Sequence, residues 1–145
     1  MNGDPWFVDT NVFVYAWDSN ASTKQATAIR LINDHARKII LSTQVLGEFY
    51  TSVTRKLQRP LSAERAMDAL DELRGFPVRS VHAQLVLSAV RRSQVSRLSY
   101  WDALIIESAL EAGASVLLTE DLQHEQTFGG LRVVDPFRQH PATAG

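Results

Sequence analysis

The sequence predicts an α/β domain in which a mainly parallel sheet is covered by helices on both faces. Two observations carry that prediction. Short apolar runs at 6–8, 39–41, 115–118 and 132–134 alternate with helical patterns, most of them ten or more residues long, and parallel strands need crossovers of about that length. Turn residues also come at short intervals, with Pro60, Gly75, Pro77 and Gly113 standing where one element should stop.

Strand 1 takes Trp6 to Val8, and a helix follows from near Thr10 or Asn11, either of which offers an oxygen to the first-turn N–H groups. A longer helix begins at Ser22 and sets Ala28, Leu31, Ile32 and Ala36 along one face. After strand Ile39 to Leu41, Ser42 or Thr43 caps a helix running to about Leu57, with Val45, Phe49, Val53 and Leu57 as its apolar stripe and Pro60 ending any continuation. Residues 62–73 form a helix with Ala66, Ala69, Leu70 and Leu73 inward; Val78 to Ser80 is a brief strand. Helices at 82–94 and 99–112 follow, the second stopped by Gly113, the residue best suited to a left-handed C-terminal turn.

With 145 residues, the chain is expected to be one domain, 1–145, burying roughly 70% of the surface its unfolded form exposes, with 138–145 as a flexible tail. It has no cysteine, which removes disulfides, thiolate metal sites and cysteine nucleophiles. Asn20-Ala21-Ser22 fits a glycosylation sequon, but no secretory signal accompanies it. The longest apolar runs are too short to cross a bilayer, so a soluble, cytoplasmic protein is expected. The net charge of −1 lacks the basic excess typical of nucleic-acid binders. Basic groups at Arg37-Lys38, Arg55-Lys56 with Arg59, and Arg91-Arg92 with Arg97 read first as solvated helix ends, and second as a phosphate track.

Four acids are the chemistry-bearing residues: Asp9, Glu48, Asp102 and Asp121. Asp9 and Asp121 follow apolar runs, and ligands of parallel sheets bind beyond the strands' carboxyl ends. Glu48 and Asp102 lie near the starts of helices that the crossover rule brings to the same rim. Each acid also has a plain structural reading. Asp102 stands three residues after Ser99 in a capping box, Asp9-Thr10-Asn11 suits a capped turn, and Asp121 beside Glu120 suits a solvated loop. Glu48 is flanked by Leu46, Gly47, Phe49 and Tyr50, where an unpaired buried carboxylate is costly. One shared site explains all four together.

The segments Asp9-Thr10-Asn11, Leu46-Gly47-Glu48-Phe49, Ser99-Tyr100-Trp101-Asp102-Ala103-Leu104-Ile105 and Leu118-Thr119-Glu120-Asp121-Leu122 resemble the four acidic motifs of PIN-domain ribonucleases. In length, order and spacing they most resemble the VapC toxins of bacterial type II toxin–antitoxin pairs, from about Trp6 to Phe137. The resemblance implies a three-layer α/β/α sandwich, Mg²⁺- or Mn²⁺-dependent RNA cleavage, a homodimer and a cognate antitoxin that occludes the site. It carries the family's acids onto Asp9, Glu48, Asp102 and Asp121, with Asn11 and Thr119 as polar neighbours; because two adjacent acids follow the strand, Glu120 is a substitute or auxiliary for Asp121.

Residue chemistry agrees with that implication. Mg²⁺ prefers oxygen ligands, keeps several waters and takes one or two carboxylates directly. Asp9 and Asp121 are the expected direct ligands; Glu48 and Asp102 either bind a second ion or hold the first ion's waters, with Asn11 and Thr119 orienting that outer shell. Clustered without a cation, such acids repel, and at least one should keep its proton above the usual pKa. An aspartyl-phosphate enzyme fits less well, because residue 11 is Asn rather than Asp and no lysine follows Lys56. A non-catalytic RNA- or protein-binding module is the alternative from another class.

The remaining candidates are weaker. His35, His82, His124 and His140 lack zinc-ligand spacing and read as surface or helix-end residues, with only His124 near enough in sequence to reach the acids. Trp6 and Trp17 are expected in the core. Trp101, beside Asp102, is expected to pack as well, with base stacking as the other reading. The antitoxin follows from the resemblance alone; an apolar groove between the helices at 22–37 and 43–57 would suit a partner helix or strand.

Overall fold

The structure is a computed structural model that describes residues 3–138; the expected tail lies, beyond Arg138, outside the described residues. The chain runs β1 (Trp6–Val8), α1 (Thr10–Ala16), α2 (Ser22–Asp34), β2 (Ile39–Ser42), α3 (Thr43–Arg55), α4 (Ala63–Leu73), β3 (Val78–Arg79), α5 (Ala83–Ser96), α6 (Tyr100–Glu111), β4 (Val116–Leu118), β5 (Thr127–Phe128) and β6 (Leu131–Val134). The strands form one sheet in the order β3-β2-β1-β4-β6-β5. Every pairing is parallel except β5 with β6, so the sheet is mainly parallel.

Strand direction reverses its walk at β1. The chain steps outward through β2 and β3, then returns to place β4 on β1's other side. Right-handed crossovers then send the helices to opposite faces. The packing agrees: α1 packs on α2 and α3, α3 packs on α4, and α5 packs most heavily on α6. Between the layers, Phe7, Val8, Leu41 and Leu117 have no exposed surface and Leu118 almost none, as expected of strands covered on both sides. Phe13, Val45, Phe49, Val53 and Leu73 close the core from one helical layer, and Ile105, Ile106 and Ala109 add α6 to it.

The helix ends follow from local chemistry. Ser42, Ser62 and Ser99 cap α3, α4 and α6 through their hydroxyls, while His82 caps α5 by accepting the Leu85 amide on Nδ1. That bond fixes the proton of a neutral His82 on Nε2, which faces Glu111 at 2.7 Å. Asp9, rather than Thr10 or Asn11, caps α1. Ala36 does not join the apolar face of α2: that helix ends at Asp34, and Ala36 lies exposed in the turn that carries the chain into β2. There His35 stacks on Trp6 with ring centroids 4.5 Å apart. The short antiparallel edge strand β5 was also not anticipated. It exists because Gly129, at φ +60°, allows a tight turn between Phe128 and Leu131.

Leu117 is the central test of this packing, lying fully buried on β4 between β1 and β6. Leu117→Ala should lower unfolding stability by about 3 kcal/mol, read as a shift of the urea midpoint at unchanged slope. An unmoved midpoint would mean β4 is not the centre of the sheet.

Candidate metal centre

The site grows out of the pairing between β1 and β4. Val8 lies opposite Leu118, and the ladder continues one step further as the Asp9 amide donates to the Leu118 carbonyl at 2.9 Å. Asp9 and Thr119 therefore leave the sheet side by side at its carboxyl rim, where the strand order reverses and ligand crevices form. β2 ends on the same rim, so α3 starts there and presents Glu48 after one and a half turns. The helix α6 feeds the amino end of β4 and so must begin at that rim, which brings Asp102 in its first turn.

Hydrogen bonds tie these segments together. Thr119, fully buried, accepts from Asn11 Nδ2 at 3.2 Å and from the Asp121 amide at 3.1 Å. Two acceptances fill the hydroxyl's lone pairs, so its own proton points to Asp9 Oδ2, 2.8 Å away. The other Asp9 oxygen accepts the Thr10 amide at 2.7 Å. Thr10 then donates its hydroxyl to Glu48 Oε1 at 2.8 Å, and Gln44 Nε2 donates to Glu48 Oε2 at 3.2 Å. Asn11 grips the third segment: Nδ2 donates to Asp121 Oδ2 at 3.1 Å, and Oδ1 accepts the Glu120 amide at 3.4 Å.

The electrostatics report the same convergence. Asp9 is only 5% exposed, and burial above all pushes its carboxyl up to about 7, against the pull of the Thr119 and Thr10 hydrogen bonds and with added push from Asp121 and Glu48. The Asp102 carboxyl is also held above its ordinary value, first by burial and then by the Asp121 charge, with Ser99 opposing and Glu48 adding. Ser99 Oγ accepts the Asp102 amide at 3.0 Å, so the capping role of Ser99 and a place for Asp102 near the other acids coexist.

Other predicted residues part company with the cluster. Glu120 turns away from Asp121: its oxygens accept from Tyr15 at 2.6 Å and Lys24 at 2.9 Å, an ion pair that anchors the loop to α1 and α2. His124 accepts the Asp135 amide on Nδ1. Arg92 pairs with Glu107 between α5 and α6, and Lys38 lies over the Trp6 ring. Of the three basic groups, the one at 55–59 reaches the site through Lys56, which shares an open cleft of about 430 Å³ with Asn11, Glu48 and Asp121. α1 packs against both α2 and α3, so it fills the groove expected between those two helices, and the open cleft lies instead between α1 and α3. Trp101 is not in the core: it is 60% exposed.

Thr10 and Gln44 were missed in sequence. Gln44 precedes Glu48 by four residues in α3, the spacing that places side chains on one helix face, and that signal was available. Among the described residues, no three acids or histidines close on one point as a finished ligand set. The acids instead stand around the rim with hydroxyl and amide groups between them. An all-oxygen donor set of this kind fits a hard, hydrated divalent cation, which needs one or two direct carboxylates.

The burial of Asp9 fixes a pH dependence. Its folded value of about 7 exceeds the ordinary 3.8, so between those limits the folded chain keeps a proton that the unfolded chain has lost. The stability from this group is full below about pH 4 and falls as pH rises through 7, by up to about 4 kcal/mol. In chelator, Asp9→Asn should flatten the decline in urea midpoint between pH 4.5 and pH 8. An equal slope in the variant would mean that Asp9 ionises normally.

The PIN domain family model matches residues 6–128. Among curated proteins, none matches the sequence. Solved structures do. The toxin VapC20 of Mycobacterium tuberculosis, described as cleaving the sarcin-ricin loop, aligns at TM-score 0.62 and 23% identity over 77% of this chain and 86% of that one. A toxin–antitoxin complex from Klebsiella pneumoniae gives 0.68 at 17% identity over 92% and 98%. DNA-bound VapBC from Salmonella typhimurium gives 0.67 at 18% over 92% and 99%. At these identities the likeness is one of fold; with the family's model running from β1 to β5, the chain belongs to the PIN domain family.

Proposed function

We propose that the chain is a Mg²⁺- or Mn²⁺-dependent endoribonuclease and the toxin of a toxin–antitoxin pair. One observation carries the reading: a buried Asp9 and a bonded Asp121 meet where β1 and β4 cross the rim, with Glu48 and Asp102 raising or sharing the local negative potential. When bound, the ion supplies an activated water near neutral pH and neutralises charge on the phosphodiester. Asp9 and Asp121 are the direct ligands in this reading, and Glu48 and Asp102 hold waters or a second ion.

The rest of the site positions these groups. Thr119 aims its proton at Asp9 and holds the Asp121 amide, so its hydroxyl sets the spacing between the two ligands. Asn11 ties the exposed Asp121 carboxylate to the rim. Lys56, in the cleft that opens onto Glu48 and Asp121, offers a cation to RNA phosphates, which a chain of net charge −1 needs locally. The same open cleft suits an antitoxin segment that covers the acids, and two of the similar structures are toxin–antitoxin assemblies. Homodimerisation rests on the family resemblance, and a cytoplasmic setting on the residue content of the sequence.

A competing reading, a non-catalytic RNA- or protein-binding module, is favoured by one observation: both oxygens of Asp9 and of Glu48 already accept hydrogen bonds from the protein. Calorimetric titration with Mn²⁺ separates the two. The nuclease binds the ion in an Asp9-dependent manner, and the module releases no heat beyond dilution.

Asp9→Asn should abolish Mn²⁺-dependent cleavage of single-stranded RNA in a folded protein, and unchanged turnover would remove the assignment. Thr119→Val should cost about 10- to 100-fold in metal affinity, read in the same titration. Ser99→Ala, which loses a helix cap and the Ser99 contact to the Asp102 carboxyl but neither direct ligand, should lower stability by about 1 kcal/mol with Mn²⁺ binding retained.

A further inference from the structure

We propose that the cleft between α3 and α6 is a nucleobase subsite, in which the exposed indole of Trp101 stacks on one base of the RNA strand. The proposal rests on the ribonuclease reading and names how that site holds its substrate.

Trp101 is the starting observation. Trp6 and Trp17 lie partly buried against the core, but Trp101 leaves 60% of its surface in water one residue before Asp102. It borders a cleft of about 400 Å³ with Gln44, Gly47, Glu48 and Tyr100. Glu48 also lines the cleft that leads to Lys56. The two clefts therefore meet at an acid of the site, and a strand whose phosphate lies over the acids passes from one into the other.

Gly47 points the same way independently. It sits inside the α3 helix, where glycine costs about 1 kcal/mol relative to alanine, and it lines this cleft. Nothing among the described residues requires it: a Cβ built there meets none of their atoms within 4 Å, and its backbone is ordinary helix. Open space beside a bare backbone is what a bound planar ring needs. The indole facing that space is held in place as well. Tyr100 packs edge-on against it, with ring centroids 4.9 Å apart and planes at 72°. Gln44 Nε2 bridges Glu48 Oε2 at 3.2 Å and the Trp101 carbonyl at 3.3 Å, which keeps the indole in register with the acid.

Exposed Trp and Tyr also occur at protein interfaces. Here the shared Glu48 and the cleared helix backbone favour a base, since a stacking platform beside a cleavage site takes any base by its face. The indole then positions the strand without itself entering the chemistry.

The test uses Ca²⁺ as the bound ion, which takes the same oxygen donors, and follows indole emission. The probes are a five-residue oligoadenylate and a strand of the same length made of abasic sugars. Wild type should bind the oligoadenylate roughly 5- to 100-fold more tightly than the abasic strand, with the emission quenched. Trp101→Ala and Gly47→Leu, the latter filling the cleft with a good helix former, should lose that preference, and Trp101→Phe should keep most of it. If Trp101→Ala binds oligoadenylate as wild type does, with no quenching in the parent, while wild type still cleaves RNA in Mn²⁺, the subsite is wrong, the ribonuclease reading stands and the indole belongs to a protein interface. If wild type neither binds oligoadenylate nor cleaves RNA, both readings fall.

Discussion

The parallel pairing of β1 with β4 is the constraint on which the rest depends. Six peptide groups in register, Trp6 to Val8 against Val116 to Leu118, bring residues 110 positions apart into hydrogen-bond contact as Asp9 and Thr119. Phe7, Val8, Leu117 and Leu118 are fully or almost fully buried, so a slip of the register would expose core side chains as well as misalign the acids. Stability and site geometry are thus the same interaction seen from two ends of the strands. The reversal of strand order at β1 leaves a crevice there, and the chemistry is placed where no helix can cover it.

That placement creates a tension resolved by hydrogen bonding. Asp9 is buried enough to resist ionisation, yet each of its oxygens already has a donor aimed at it. Thr119 is the junction: by accepting from Asn11 and from the Asp121 amide it has one direction left for its proton. Two donors thus face a carboxyl that burial keeps protonated to about pH 7, and in the proposed reading a neighbouring cation offsets the cost of its ionisation. The adjacent acids Glu120 and Asp121 divide the work. One closes an ion pair with Lys24 that fixes the loop, and the other stays exposed toward the rim.

Much of this was legible in sequence because it follows from periodicity and punctuation. The alternation of short apolar runs with long amphipathic segments is enough for a parallel sheet, and Asp9, Asp102 and Asp121 lie at or near element ends, with Glu48 one and a half turns into α3. Side-chain direction was not legible. Whether Glu120 or Asp121 faces the cluster depends on one peptide unit of the loop after β4, and whether Trp101 packs depends on the rotation of α6. Thr10 escaped for the same reason, since it matters through Glu48 on another helix; Gln44, four residues before Glu48 in one helix, was within reach of helical spacing. The two-residue strand β5 is too short for any alternation, although Gly129-Gly130 marks its hairpin. Ala36 fits the helical period of α2 but lies past its end, because the chain must turn to reach β2.

The central claim is that Asp9 and Asp121, brought together by β1 and β4, hold a divalent cation. The most direct measurement is anomalous X-ray scattering from a crystal grown or soaked in Mn²⁺. The account predicts a manganese peak at the carboxyl rim within about 2.0–2.4 Å of an oxygen of Asp9 and of Asp121, with the remaining positions filled by waters. Density for the ion elsewhere on the surface, with the rim empty at saturating Mn²⁺, would contradict it.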